Sequence, residues 1–127
     1  MILMTDAGKR FNREWIFRHF NYEFLKGRHY AITGPNGSGK STLLQVIAGA
    51  ITPSEGSMQY HVENTVIDPE HQFSKLSFCA PYLELIEEMT ANEMLEFHAA
   101  FKPLIQSLSI TEMLQTVGLG NAVNKQV

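Results

Sequence analysis

Eight residues, Gly34-Pro-Asn-Gly-Ser-Gly-Lys-Ser41, constrain this chain more than any others. Their glycines let the backbone curl tightly and leave room for a ligand against the main chain. The run before them, His29-Tyr-Ala-Ile-Thr33, is short and nearly apolar, which predicts a buried parallel strand. Beyond them, Leu43, Leu44, Val46, Ile47 and Ala50 recur at helical spacing, with Gly49 as a C-terminal signal. Strand, glycine-rich loop and helix in that order form a phosphate-binding loop in its required context. Successive amides point inward as an anion nest, and the helix start adds the positive end of its dipole. The expected phosphate-binding residues are Gly34, Pro35, Asn36, Gly37, Ser38, Gly39, Lys40, Ser41 and Thr42. Lys40 is placed to reach the β- and γ-phosphates and the Ser41 hydroxyl to ligate Mg²⁺, so ATP and Mg²⁺ are the expected cofactors.

The flanking sequence reads as β-rich first and helical later. Residues 15–24 alternate with a period of two, predicting a strand with Ile16, Arg18, Phe20, Tyr22 and Phe24 on one face. Residues 57–67 predict two strands joined at Glu63-Asn64. Residues 68–71 read as loop and Lys75 to Ala80 as a further buried strand. Thr90-Ala-Asn-Glu93 and Ser109-Ile-Thr-Glu112 are capping boxes, each opening a helix. The first of these helices ends before Pro103 and the second at Gly118, a C′ position. The expected division is 1–82, an ATP-binding core, and 83–127, the beginning of an α-helical subdomain.

Composition narrows the classes. The 127 residues suit one small domain, and a 44% hydrophobic content permits a real core. A formal net charge of −3 gives no footprint for nucleic acid, and no nucleic-acid partner is expected. Lys9, Arg10, Arg13, Arg18, Lys26 and Arg28 cluster early in the chain and read as a solvated face. The single cysteine, Cys79, lies in an apolar run and reads as a core residue in a reducing, cytoplasmic setting. No stretch is long and apolar enough for a membrane span, and the start does not read as a signal peptide.

The loop continued by Thr42-Leu-Leu44, then Ile47-Ala-Gly49 and Pro53-Ser-Glu-Gly56, resembles the first half of an ABC transporter ATP-binding domain. The resemblance implies an α/β fold: a P-loop NTPase core of ABC type with an N-terminal antiparallel β region, followed by the start of the helical subdomain, as an incomplete domain. Phe11-Asn-Arg-Glu-Trp-Ile-Phe17 is similar to the segment that presents the adenine-stacking aromatic, which gives Phe11 that role with Trp15 as the weaker candidate. Ser77 to Pro81 resembles the stretch that leads into the helical subdomain, but Pro81 stands where the family places a glutamine that touches Mg²⁺ and water. Tyr82 is a poor replacement for that amide, and Gln72 lies too far upstream. The family's signature motif, second acidic strand with its catalytic glutamate, and switch histidine are expected beyond Val127, so no catalytic residue is assigned within this chain. Asp68 after Thr65-Val-Ile67 lies too early for the acidic strand. His98 reads as an ordinary histidine, and Glu84, Glu87 and Glu88 as a solvated run.

The resemblance implies an ATP-hydrolysing transporter subunit, partnered by a transmembrane permease and a second nucleotide-binding domain, and so peripheral to the inner membrane. Two alternatives stay open: a soluble ABC-type ATPase acting on ribosomes or DNA, and a nucleotide-binding module without turnover. A small-molecule kinase is disfavoured because no arginine follows Arg28 to neutralise a transferred phosphate.

Overall fold

The structure, a computed structural model, describes residues 1–80, 85–104 and 108–127. It divides into two compact units, Met1–Phe78 and Cys79–Val127. The first holds a four-stranded antiparallel sheet in the order β2-β1-β3-β4. Its strands are β1 (Ile2–Phe11), β2 (Glu14–Phe24), β3 (Glu55–Val62) and β4 (Thr65–Ile67), and helix α1 spans Lys40–Ile47.

The β3–β4 hairpin forms where the sequence predicts it. Val62 pairs with Thr65, leaving Glu63 and Asn64 as a two-residue turn with φ of 50° and 65°. Positive φ at both positions defines a type I′ turn, whose twist suits the flanking strands. The β2 strand is also as predicted in extent, but its faces are not simply alternating. His19 takes φ 54° and, across the pair, Asp6 takes φ 48°, with register shifts on both strands. Each bulge moves the side-chain parity by one. Phe17 therefore joins Phe20 and Phe24 against the core, although simple alternation puts it on the opposite face. The two bulges are clasped together: His19 Nδ1 lies 2.8 Å from Asp6 Oδ1, and the Asp6 amide donates to Asn21 Oδ1 at 2.8 Å. At the start of β3, Gly56 (φ 72°) lies against the Asp6 carbonyl, where a β-carbon would collide.

Met4, Ala7 and Val46 are fully buried and form the centre of this unit. Leu43, Val46 and Ile47, spaced i, i+3, i+4, give α1 one apolar face toward the sheet. The helix ends in a Schellman motif: Gly49 N donates to Val46 O and Ala50 N to Gln45 O, both at 2.9 Å, with Gly49 left-handed at φ 72°. The buried Tyr60 hydroxyl donates to the Ile47 carbonyl, tying β3 to the last turn of α1. Burial pushes the Tyr60 phenol up to about 12.

Four expectations are corrected. His29–Thr33 belongs to no strand, because a parallel strand needs a neighbour and none of the described residues pairs with it in a ladder. Lys75 to Ala80 is not a strand either: Lys75 ends a 3₁₀-helix and residues 76–80 carry no regular structure. The residues before it, expected as loop at 68–71, wind into a 3₁₀-helix over Pro69–Lys75. Cys79 is exposed rather than part of a core. The structure also adds β1, which the sequence reading did not identify.

The second unit contains α2 (Ala91–Phe101) and α3 (Ile110–Thr116). Both capping boxes form as predicted. Thr90 Oγ1 accepts from Glu93 N at 3.3 Å while the Glu93 carboxylate accepts from Thr90 N at 2.8 Å. Ser109 and Glu112 repeat the arrangement at 3.2 and 2.8 Å. α3 closes on Gly118 (φ 78°), again with Schellman bonds: Gly118 N to Gln115 O and Leu119 N to Leu114 O. The end of the chain pairs beside the start of α2, where Ala91 N donates to Lys125 O at 3.0 Å and Val127 N to Met89 O at 3.1 Å.

Candidate functional site

The loop between Thr33 and α1 is curled, not extended. Residues 36–37 form a turn, and Ser38 N donates to Pro35 O at 3.3 Å. Gly39 is the N-cap of α1 in the left-handed region (φ 86°), and a β-carbon there would collide with Ile16 of β2. Only glycine meets both demands, so the sheet fixes the point at which the helix begins. The first helical bond is Leu43 N to Gly39 O at 2.9 Å. The amides of Lys40, Ser41 and Thr42 precede it and have no intrahelical acceptor. No side chain caps this end, and its first turn contains no acidic residue.

Lys40 closes the loop. Its Nζ donates to Gly34 O at 2.9 Å and to Pro35 O at 2.7 Å. An ammonium has three protons, so one remains for an incoming acceptor. Gly34 to Ser38 and Ser41 are exposed, and Lys40 and Thr42 are half-buried. The arrangement offers several backbone donors, one ammonium and one helix dipole to a single anion at the surface.

The Ser41 hydroxyl is the only side-chain oxygen of the predicted metal site. Among the described residues no cluster of three or more His, Cys, Asp or Glu could hold a metal. A single hydroxyl fits Mg²⁺, which keeps several waters and takes its remaining ligands from substrate phosphates. It would not suffice for a cation held by protein alone.

The β1–β2 hairpin carries the aromatic candidates. Phe11 pairs with Glu14 across the Asn12-Arg13 turn and is 49% exposed. Ile16, which touches Gly39, lies two residues from Glu14, or about 7 Å along the strand. Phe11 thus sits near the loop with its ring accessible, with Lys9 Nζ 5.2 Å from its centroid. Trp15 is already engaged: the guanidiniums of Arg18 and Arg10 lie 4.4 and 5.5 Å from its ring centroid. Arg18 also makes two hydrogen bonds to Glu55, at 2.6 and 3.1 Å, which raise its pKa. Lys9 donates to Thr52 O at 2.8 Å. Lys9, Arg10 and Arg18 of the early basic cluster are therefore tied into the fold. This Arg18–Glu55 pair was not visible in the sequence, where the partners stand 37 residues apart.

Other candidates fall away from the loop chemistry. Asp68 is the exposed N-cap of the 3₁₀-helix and follows an antiparallel strand. His98 is exposed on α2 and accepts, through its carbonyl, from Lys102 N. Glu87 and Glu88 are exposed. Pro81, Tyr82 and Glu84 lie outside the described residues. Among those described, no helix is long and apolar enough to cross a membrane.

Comparison with known proteins converges on one family. The family profile described as "ABC transporter" matches residues 17–127. The chain is 30% identical over 132 residues to the sulfate/thiosulfate import ATP-binding protein CysA of Mesostigma viride, covering 99% of this chain and 38% of that protein. It is 26% identical over 127 residues to the bacitracin transport ATP-binding protein BcrA of Bacillus licheniformis, covering 100% of this chain and 42% of that protein. Among solved structures, a dimeric ATP-binding cassette bound to ADP and Pi superposes with a TM-score of 0.77 at 24% identity, over 99% of this chain and 61% of that one. An ATP-binding subunit of an ABC transporter gives 0.79 at 20% identity, over 98% and 53%. The chain thus spans 38% to 61% of the length of these proteins.

Proposed function

The chain belongs to the ABC transporter family, and from that premise we propose that it binds MgATP at the loop of residues 34–42, as part of a subunit that couples ATP hydrolysis to transport. The observation that carries this reading is the start of α1: free amides, no cap and no carboxylate, with Lys40 folded over the loop. Gly34 to Gly39 supply the curl, the amides through Thr42 hold phosphate oxygens, and the remaining Lys40 proton serves the β- and γ-phosphates. The Ser41 hydroxyl holds Mg²⁺, which when bound neutralises charge on those phosphates. Phe11 stacks on adenine, supported by its open ring and by the engagement of Trp15. Residues 1–82 serve as the ATP-binding core and 83–127 as the start of the helical subdomain.

In this reading the transporter assembles from two nucleotide-binding domains and a membrane-spanning permease, and the subunit sits on the cytoplasmic side. Water attack and turnover belong to the assembled transporter, and no residue of this chain is assigned to that step. Calorimetric titration of the chain with MgATP tests the core of the proposal. Lys40→Ala should weaken MgATP at least 100-fold, because a charge-assisted phosphate contact and the loop closure are lost together. Unchanged affinity in that variant would falsify the site assignment.

A further inference from the structure

Strand β1 outruns β3. Gly8 pairs with Glu55, the first residue of β3, and Lys9, Arg10 and Phe11 continue past it. On the side away from β2 these three residues have no strand beside them among the described residues. Residues 52–55, which lead from α1 into β3, take that place. Ser54 N donates to Gly8 O at 2.7 Å. One step further along, a single side chain stands in for a strand. Ser54 Oγ accepts from Arg10 N at 3.2 Å and donates to Arg10 O at 3.4 Å, since a hydroxyl can do both at once. Lys9 Nζ donates to the Thr52 carbonyl at 2.8 Å and lies 5.2 Å from the Phe11 ring centroid. Across the hairpin, Arg18 of β2 makes two hydrogen bonds to Glu55. Residues 52–55 therefore grip the hairpin immediately before the half-exposed ring of Phe11. All of these residues belong to the first compact unit.

We propose that Ser54 is a positioning residue for recognition of the nucleotide base: its hydroxyl, bonded to both polar backbone groups of Arg10, fixes the strand that presents Phe11. The inference rests on the assignment of Phe11 as the adenine-stacking ring. A hairpin end that reaches past its sheet has few contacts to hold it and opens locally at little cost. Stacking needs the ring parallel to the base, so a loosely held strand dilutes the competent orientation, and apparent affinity falls by the fraction lost. The Ser54 hydroxyl removes that freedom one residue before the ring. The phosphate loop is held by other contacts, Gly39 against Ile16 and Lys40 across Gly34 and Pro35. Loss of the hydroxyl therefore acts on the base and leaves the phosphates alone.

The test is calorimetric titration of the full chain and its variants with MgATP and with magnesium triphosphate, which has no base. Ser54 is exposed, so Ser54→Ala opens no cavity and the fold is retained. Ser54→Ala should weaken MgATP about fivefold, the scale of one net hydrogen bond, and change magnesium triphosphate by less than about twofold. Ser54→Thr keeps the hydroxyl and should restore MgATP affinity to within about twofold of wild type. In a Phe11→Ala background, Ser54→Ala should have no further effect on MgATP, because the ring it positions is gone. Equal losses for both ligands would show a merely structural role and overturn the proposal. Unchanged MgATP affinity in Ser54→Ala, failure of Ser54→Thr to restore it, or an undiminished effect in the Phe11→Ala background would overturn it as well. The two levels separate cleanly. If Phe11→Ala weakens MgATP and Ser54→Ala does not, this proposal alone falls; if Phe11→Ala itself leaves MgATP unchanged, the stacking assignment falls and takes the proposal with it.

Discussion

Helices α2 and α3 open in one way and α1 opens in another. Thr90 and Ser109 each accept an amide hydrogen bond, and Glu93 and Glu112 each return one, so both helix starts are satisfied by their own side chains. At α1 the corresponding positions are Gly39 and Thr42. Gly39 has no side chain to offer, and no carboxylate enters the first turn. The same physical demand, free amides at a helix start, is thus met by side chains in one unit and by no side chain in the other. The contrast assigns the two regions different work: the second unit is fastened for stability, while the first keeps a donor array at the surface.

The comparison breaks most sharply if α1 is given what the other two helices have. Thr42→Glu places a carboxylate at the position that Glu93 and Glu112 occupy. At an effective dielectric near 20, a charge about 4 Å from a phosphate is worth roughly 4 kcal/mol. MgATP affinity should fall by about a thousandfold, while α1 gains a few tenths of a kcal/mol without nucleotide from its dipole. Titration calorimetry and thermal melting read the two effects, and MgATP affinity within tenfold of wild type would contradict the open-start interpretation. Next in size, Phe11→Ala should weaken ATP by about 1–3 kcal/mol and leave inorganic triphosphate unchanged. Equal losses for both ligands would rule out base stacking.

Removing the fastening from the second unit should have a smaller effect and no functional one. Thr90→Ala and Ser109→Ala should each cost about 1 kcal/mol in stability, with MgATP affinity unaltered; a shift in affinity beyond twofold would show that the caps do more than hold their helices. The smallest effect is a pH dependence. Hydrogen bonds from the Thr90 backbone and hydroxyl hold the Glu93 carboxyl below its ordinary value, and those from Ser109 do the same for Glu112. A depressed folded pKa gives stability that is present above the unfolded value, near 4.3, and lost as pH falls through the folded value. Helicity of the second unit should therefore decline below about pH 4, and the double variant Glu93→Gln/Glu112→Gln, which has no carboxylate to protonate at either cap, should lack that acid slope. Circular dichroism on both proteins decides it.

Features fixed by a few neighbouring residues were legible in the sequence. The capping boxes, the Glu63-Asn64 turn, the glycine helix ends at Gly49 and Gly118, and the curled loop ahead of α1 all depend on local backbone chemistry. Features that depend on a partner elsewhere were not. His29-Tyr-Ala-Ile-Thr33 has the composition of a buried strand, yet strand formation requires a neighbour that local sequence does not guarantee. β1 was missed because Thr5-Asp-Ala-Gly8 breaks the alternation that marks a strand. The loop residues could be proposed from their spacing, but the engagement of Trp15 by Arg10 and Arg18 required the folded hairpin.

The facing bulges at Asp6 and His19 carry a consequence for comparing this chain with others. A gap placed in β2 alone, at His19, would send every aromatic on one side of it to the wrong surface. Removing one residue from each strand would restore the match, since the two irregularities offset one another. Any alignment through this hairpin should therefore score its two strands as a pair, and an unpaired insertion or deletion there marks either a misplaced gap or a relative whose inner face is built differently.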